Sequence, residues 1–134
     1  GQTVLEPSAG QGGLADLLPK DKTLCIEVAS LNAKVLQAKG FEVLHRDFLE
    51  WASTARADVD RIVMNPPFSE GRARAHVQAA ASLLAPHGRL VAIVPASHRE
   101  KIDLPGCTLA WSEVIESAFP GVSVAVVILT ADKT

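Results

Sequence analysis

Two adjacent prolines set the limits within which this chain can fold. Pro66 and Pro67 follow the apolar run Arg61-Ile62-Val63-Met64, and because neither ring nitrogen carries a donor, a strand through Met64 has to end there. On either side of that stop the sequence alternates between short apolar runs and segments of helical spacing. Thr3-Val4-Leu5-Glu6 reads as a first strand, and the loop Pro7-Ser8-Ala9-Gly10-Gln11-Gly12-Gly13 opens a helix carrying Leu14, Leu17 and Leu18 that Pro19 stops. Thr23 to Val28 reads as a second strand, followed by a helix capped by Ser30 and ended at Gly40. Phe41 to Leu44 is a third strand, and Asp47-Phe48-Leu49-Glu50-Trp51 begins a short helical turn. Asp60 to Met64 is the fourth. Ala73, Val77, Ala80, Ala81 and Leu84 then recur at helical spacing until Pro86-His87-Gly88, and Arg89 to Pro95 is a fully buried fifth strand.

Strands that alternate with helices at such spacings predict a mostly parallel sheet covered on both faces. The pattern changes near the end. Leu109 to Ala118 and Val122 to Thr130 are extended runs joined only by Phe119-Pro120-Gly121, too short a link for a crossover helix, so they pair as an antiparallel hairpin. The expected fold is α/β, with seven strands and the last one reversed. In open sheets of this kind ligands bind beyond the carboxyl ends of the strands where strand order reverses. That point falls between the first and fourth strands, where Glu6 to Gly13 and Asn65 to Phe68 would meet.

With 134 residues the chain has the size of a single domain, and its apolar runs are too short to cross a membrane. Cys25 and Cys107 have neither metal-ligand spacing nor a secretory signal before them, which points to a reducing, cytoplasmic setting and to no metal site. A net charge of -2 argues against a strongly basic nucleic-acid clamp while leaving room for a local patch. The sequence starts at Gly1 and enters a strand almost at once, as a trimmed piece would.

The segment Gly10-Gln11-Gly12-Gly13-Leu14-Ala15 matches the dinucleotide fingerprint, and Glu27 stands at the end of the next strand. Glycines at a strand-to-helix turn also serve the turn alone. Glu6 lies where a pyrophosphate would approach and would repel it, whereas a sulfonium would be attracted; this favours S-adenosylmethionine over a nicotinamide dinucleotide. Glu27 is placed to accept hydrogen bonds from ribose hydroxyls, or is a solvated strand end. Asp47 has the spacing of a helix N-cap, a role compatible with an adenine contact. Phe48 faces either an adenine ring or the core, with the core favoured.

The turn Asn65-Pro66-Pro67-Phe68 is suited to a planar amine, with the Asn65 side chain and the Pro66 carbonyl each accepting one proton and Phe68 stacking on the ring. Its plain alternative is a proline-rich loop with a buried aromatic. His45, His76, His87 and His98 lie off this turn and read as surface histidines, which leaves no general base among them. Arg72, Arg74, Arg99 and Lys101 fall toward the same end of the sheet and are candidates for phosphate contacts.

Leu5 to Gly13 followed by Asn65-Pro66-Pro67-Phe68 resembles the class I S-adenosylmethionine-dependent methyltransferases, in particular the amino-methyltransferases with a [DNS]-P-P-[FYW] motif. The resemblance covers nearly the whole chain and implies a Rossmann-like sandwich. It implies that Glu6, Pro7, Ser8, Ala9, Gly10 and Gly12 line the methionine part of the cofactor. Glu27 would meet the ribose and Asp47 and Phe48 the adenine, Val28 and Asn65 would also contact the cofactor, and Asn65, Pro66, Pro67 and Phe68 would hold the target. The implied reaction is methylation of an exocyclic amine in a nucleic-acid base, with adenine N6 in DNA the best fit. Guanine N2 or adenine N6 in RNA, a protein glutamine, and a cofactor-binding subunit inactive without a partner are the alternatives. A single catalytic domain over residues 1–134 is expected, without the helix and motif that precede the first strand in such enzymes and without a target-recognition domain. A separate domain or subunit would then supply target recognition, and no membrane partner is implied.

Overall fold

A computed structural model describes residues 3–10, 12–56, 58–68, 71–116 and 125–134. Among the described residues seven strands form one sheet: β1 (Val4–Glu6), β2 (Thr23–Ile26), β3 (Glu42–Leu44), β4 (Val59–Met64), β5 (Leu84–Pro95), β6 (Cys107–Trp111) and β7 (Val126–Lys133). Their order is β3-β2-β1-β4-β5-β7-β6. β1 to β5 pair in parallel, and β7 runs antiparallel to both β5 and β6. This is the expected α/β sheet with its last strand reversed. The pairing of β6 with β7 bears out the terminal hairpin, with Leu109 opposite Ala131; the expected link Phe119-Pro120-Gly121 lies outside the described residues.

In-register partners share a face, so Leu5, Leu24 and Ile62 point one way, with Met64, Leu90, Ala92 and Leu129. Helices α2 (Phe48–Thr54) and α3 (Arg72–Ala81) cover that face, burying Phe48, Val77 and Ala80 against it. Each large side chain removed from water there contributes about 1.5 to 3 kcal/mol. The opposite face carries a smaller cluster of Cys25, Leu36 and Phe41 beneath α1 (Ser30–Ala38). α1 ends as its sequence dictates: Gly40 adopts φ +97°, its N–H bonds Gln37 O at 3.0 Å, and Phe41 N–H bonds Leu36 O at 3.2 Å. This is the Schellman arrangement, sealed by contact between Phe41 and Leu36.

Four expectations change. The segment after the glycine loop forms only a single 3-10 turn, Ala15–Leu17, and Leu17 is exposed. The cap of α1 is Ala29, one residue before Ser30, with no side-chain hydrogen bond. Leu84 belongs to β5, since α3 ends at Ala81; Pro86-His87-Gly88 sits within β5 as an irregularity, where the register with β4 shifts and His87 takes φ +65°. Among the described residues coverage of the second face is incomplete over the centre of the sheet, because the β1–β2 connection brings only a short turn there. Val63, Val91, Ile93 and Ile128 remain half-buried.

Candidate cofactor and target site

The loop after β1 folds inward onto two carboxylates. Ser8 N–H donates to Glu6 Oε1 at 3.0 Å, and Gly10 N–H donates to Glu27 Oε1 at 2.8 Å. Gly10 and Gly12 take φ +57° and +99°, conformations that let the chain turn this tightly. A pyrophosphate cradle needs loop amides aimed at the ligand. The Ser8 and Gly10 amides are committed to protein carboxylates instead, which sets this loop apart from a dinucleotide site.

Glu27 is buried, contrary to a solvated strand end. Its Oε2 accepts from Ala29 N–H at 2.8 Å and from Asn32 Nδ2 at 3.4 Å, so one side chain ties the β1 loop to the start of α1. Glu6 is more deeply buried still, at 1% exposure. Desolvation, opposed by the Ser8 N–H and reinforced by the Glu27 charge, pushes its carboxyl up to about 8. Burial thus favours the neutral form of the Glu6 carboxyl.

A pocket of about 300 Å³ opens at the carboxyl ends of β1, β2 and β4. Pro7, Ser8, Gly10, Glu27, Val28, Asp47, Phe48, Asn65 and Pro67 all line it. Of the other residues singled out from the sequence, Glu6, Ala9, Gly12, Pro66 and Phe68 are not on its wall. Glu6, Ala9, Gly12 and Pro66 are buried, whereas Phe68 is half-buried beside the turn. Val28, at 62% exposure, presents an apolar surface that a planar ring would cover. Asp47 caps α2 by accepting from Glu50 N–H at 3.0 Å and borders the pocket as well, so the cap and the ligand-facing position coexist. Phe48 is both core and pocket wall, 3% exposed.

Sequence reasoning missed His76, which it placed on the surface. His76 is 7% exposed and lines the pocket, with Nδ1 3.5 Å from Ser8 Oγ and its ring 5.6 Å from that of Phe48. Desolvation lowers its pKa from the usual imidazole value, Asp47 opposes the shift and Arg72 adds to it. The signal was present in the spacing, since position 76 shares the face of Ala73, Val77 and Ala80. Arg46 and Arg72 also border the pocket, Arg46 paired with Glu50 at 3.3 Å. Among the phosphate candidates, Arg74 and Lys101 lie apart from this pocket, and Arg99 is directed to Glu100 at 3.8 Å and Ser112 O at 3.3 Å. A larger cavity of about 570 Å³, lined by Thr3, Thr23, Trp51 and Val59, lies at the amino ends of the strands, opposite to where open α/β sheets take their ligands.

Residues 14–116 match the family described as methyltransferase small domain, more than half of the chain, and the protein belongs to that family. No curated protein matches. TrmN from Thermus thermophilus superposes with a TM-score of 0.75 at 23% identity, over 100% of this chain and 44% of TrmN. The 23S rRNA methyltransferase ErmE gives 0.76 at 19% identity, over 99% of this chain and 62% of ErmE. SMU.1697c from Streptococcus mutans, solved in complex with S-adenosylhomocysteine (SAH), gives 0.71 at 10% identity, over 100% of this chain and 89% of its own. At these identities the likeness establishes the fold, and the chain spans less than half the length of TrmN. The family is one of methyltransferases, and S-adenosylmethionine is the cofactor against which the pocket is compared.

The donor set of the pocket is compatible with that group. Glu27 retains acceptor capacity for hydroxyl donors beyond the amides it already binds, Val28 offers apolar surface, and Asp47 borders the same wall.

Proposed function

We propose that this domain transfers a methyl group to the exocyclic amine of a nucleic-acid base, with adenine N6 as the target. One observation carries the reading: Asn65, from the turn that ends β4, borders the same pocket as Glu27, Asp47 and Phe48. The amide acceptor of the target turn is thus adjacent to the proposed cofactor wall.

S-adenosylmethionine supplies an electrophilic methyl when bound. The chain's own contribution is orientation. An adenine amine is a weak nucleophile because its lone pair is delocalised into the ring. Asn65 Oδ1 and the Pro66 carbonyl accept hydrogen bonds from its two N–H groups, which turns the nitrogen lone pair toward the methyl and favours in-line transfer, and the methylated nitrogen then releases one proton to water. Phe68, half-buried beside the turn and off the pocket wall, would stack on the base only where the base extends past Asn65, and the rigid Pro66-Pro67 pair keeps both acceptors in place. In a duplex the base would have to be flipped out to reach this pocket.

The turn itself does not distinguish DNA from RNA. DNA is the primary reading, and RNA is the second, favoured by the likeness to ErmE. The test is transfer of labelled methyl to single-stranded DNA, to RNA of the same sequence and to a protein mixture, with wild type and Asn65→Ala. Label at adenine N6 that Asn65→Ala abolishes, while cofactor binding survives, supports the proposal. Label on protein alone overturns it.

A further inference from the structure

A second cluster of polar groups stands apart from the pocket. Gly71, Arg74, Ser97, His98 and Lys101 line a cleft of about 330 Å³ between the amino end of α3 and the 3-10 turn Ala96–His98 that follows β5. Both walls continue from the carboxyl ends of neighbouring strands, β4 and β5, so the cleft opens at the same end of the sheet as Asn65.

Its chemistry is that of a compact anion site. Among the described residues no carboxylate lines it, while Arg74 and Lys101 also wall an adjoining cleft that Glu100 and Asp103 border. Arg74 Nη2 donates to the Lys101 carbonyl, which fixes the guanidinium and leaves its other N–H groups for a ligand. Gln78 Nε2, one turn further along α3, donates to Asp103 O at 3.4 Å and braces the same loop. Glu100, the acid nearest in sequence to Lys101, lies 3.8 Å from Arg99. Gly71 is the N-cap of α3 and has no side chain to occupy the first-turn amides, an end of a helix that favours negative charge. Among the described residues its wall is polar, with His98 and Ser97 beside the two cations.

We infer that this cleft holds a phosphodiester of the strand that carries the target base, gripped by Arg74 and Lys101. The inference rests on the nucleic-acid reading above and assigns its backbone contact. It also narrows the four basic residues to two, since Arg72 borders the cofactor pocket and Arg99 is engaged elsewhere.

The experiment is fluorescence anisotropy of a labelled single strand, in DNA and RNA versions, titrated with salt against wild type, Lys101→Gln and Arg74→Gln. Lys101→Gln leaves the Arg74 bond to the backbone carbonyl available, so it keeps the test sound if the loop depends on Arg74. Each variant is expected to bind several-fold more weakly, with a salt slope reduced by about 0.7 for the lost contact, while calorimetry shows unchanged cofactor affinity. Wild-type affinity and slope in both variants overturn the cleft assignment. Wild type that binds cofactor but neither strand overturns the nucleic-acid reading itself. Equal occupancy by inorganic phosphate, with no dependence on strand length, identifies a free-anion site and also overturns the assignment.

Discussion

His76 Nδ1 stands 3.5 Å from Ser8 Oγ, so the second turn of α3 meets the loop that follows β1 across the floor of the pocket. One imidazole thereby links the helix after the target turn to the loop on the cofactor side, with Phe48 packed beside it. His76→Ala removes the ring and the contact together. A loss of about 1 to 2 kcal/mol in cofactor binding, roughly tenfold in Kd, is expected by calorimetry. An unchanged Kd would reduce His76 to core packing.

The same residue sets an acid limit. Burial holds the folded-state pKa of His76 below 6.5, so as pH falls the unfolded chain binds this proton first. The stability His76 contributes is present above pH 6.5 and is lost as pH falls toward the lowered value. Urea unfolding across that acid range would show the decline in wild type, and a shallower one in His76→Gln.

Glu6 acts with the opposite sign. Its folded pKa of about 8 lies above the ordinary 4.5, so the folded chain retains a proton that the unfolded chain has released. Stability from this group is complete below pH 4.5 and is lost as pH rises through about 8. The total is on the order of 3 to 5 kcal/mol. Measurement from pH 6.5 upward separates it from His76, and Glu6→Gln should flatten the alkaline decline. Wild type that is equally stable across that range would contradict the burial of a protonated Glu6.

Asp47 carries two separable roles. Its carboxylate caps α2 at Glu50 N–H, and loss of such a cap costs about 1 kcal/mol. Asp47→Ser keeps the cap but shortens the reach into the pocket, whereas Asp47→Ala removes both. Thermal unfolding should report a loss only in the alanine variant, and calorimetry should report weaker cofactor binding in both. Full binding by Asp47→Ser would confine Asp47 to the helix.

The strands were legible because short runs such as Arg61 to Met64 are rich in branched apolar residues and end at residues that cannot continue a ladder. The pocket was legible for a related reason: Glu27, Asp47 and Asn65 each follow a strand, and strand ends converge in a parallel sheet. What failed was periodicity read without its surroundings. Leu14, Leu17 and Leu18 suggest a helix, yet the glycines before them and Pro19 after them leave room for one turn. Leu84 continues the spacing of α3 by coincidence while pairing with Val59 in the sheet. His76 was set aside by residue type although its position lay on the buried face, and Glu6 was assigned a charge that only the depth of its burial reveals as suppressed.

Glu27 gives the sharpest test of how structure and binding divide. Its carboxylate binds Gly10 N–H and Ala29 N–H at 2.8 Å each, and Asn32 beside them. Glu27→Gln replaces one acceptor oxygen with an NH2 that faces a backbone donor, so about 1 to 3 kcal/mol of stability is expected to go. If the carboxylate also receives ribose hydroxyls, cofactor affinity falls by more than the partial unfolding accounts for. Calorimetry well below the melting temperature, where every variant is folded, isolates that second loss. Asn32→Ala supplies the comparison, since it removes only the long 3.4 Å contact and leaves both amide bonds in place. Wild-type affinity in folded Glu27→Gln would mean that Glu27 serves only to tie the β1 loop to α1, and the ribose contact would have to be sought elsewhere on the pocket wall.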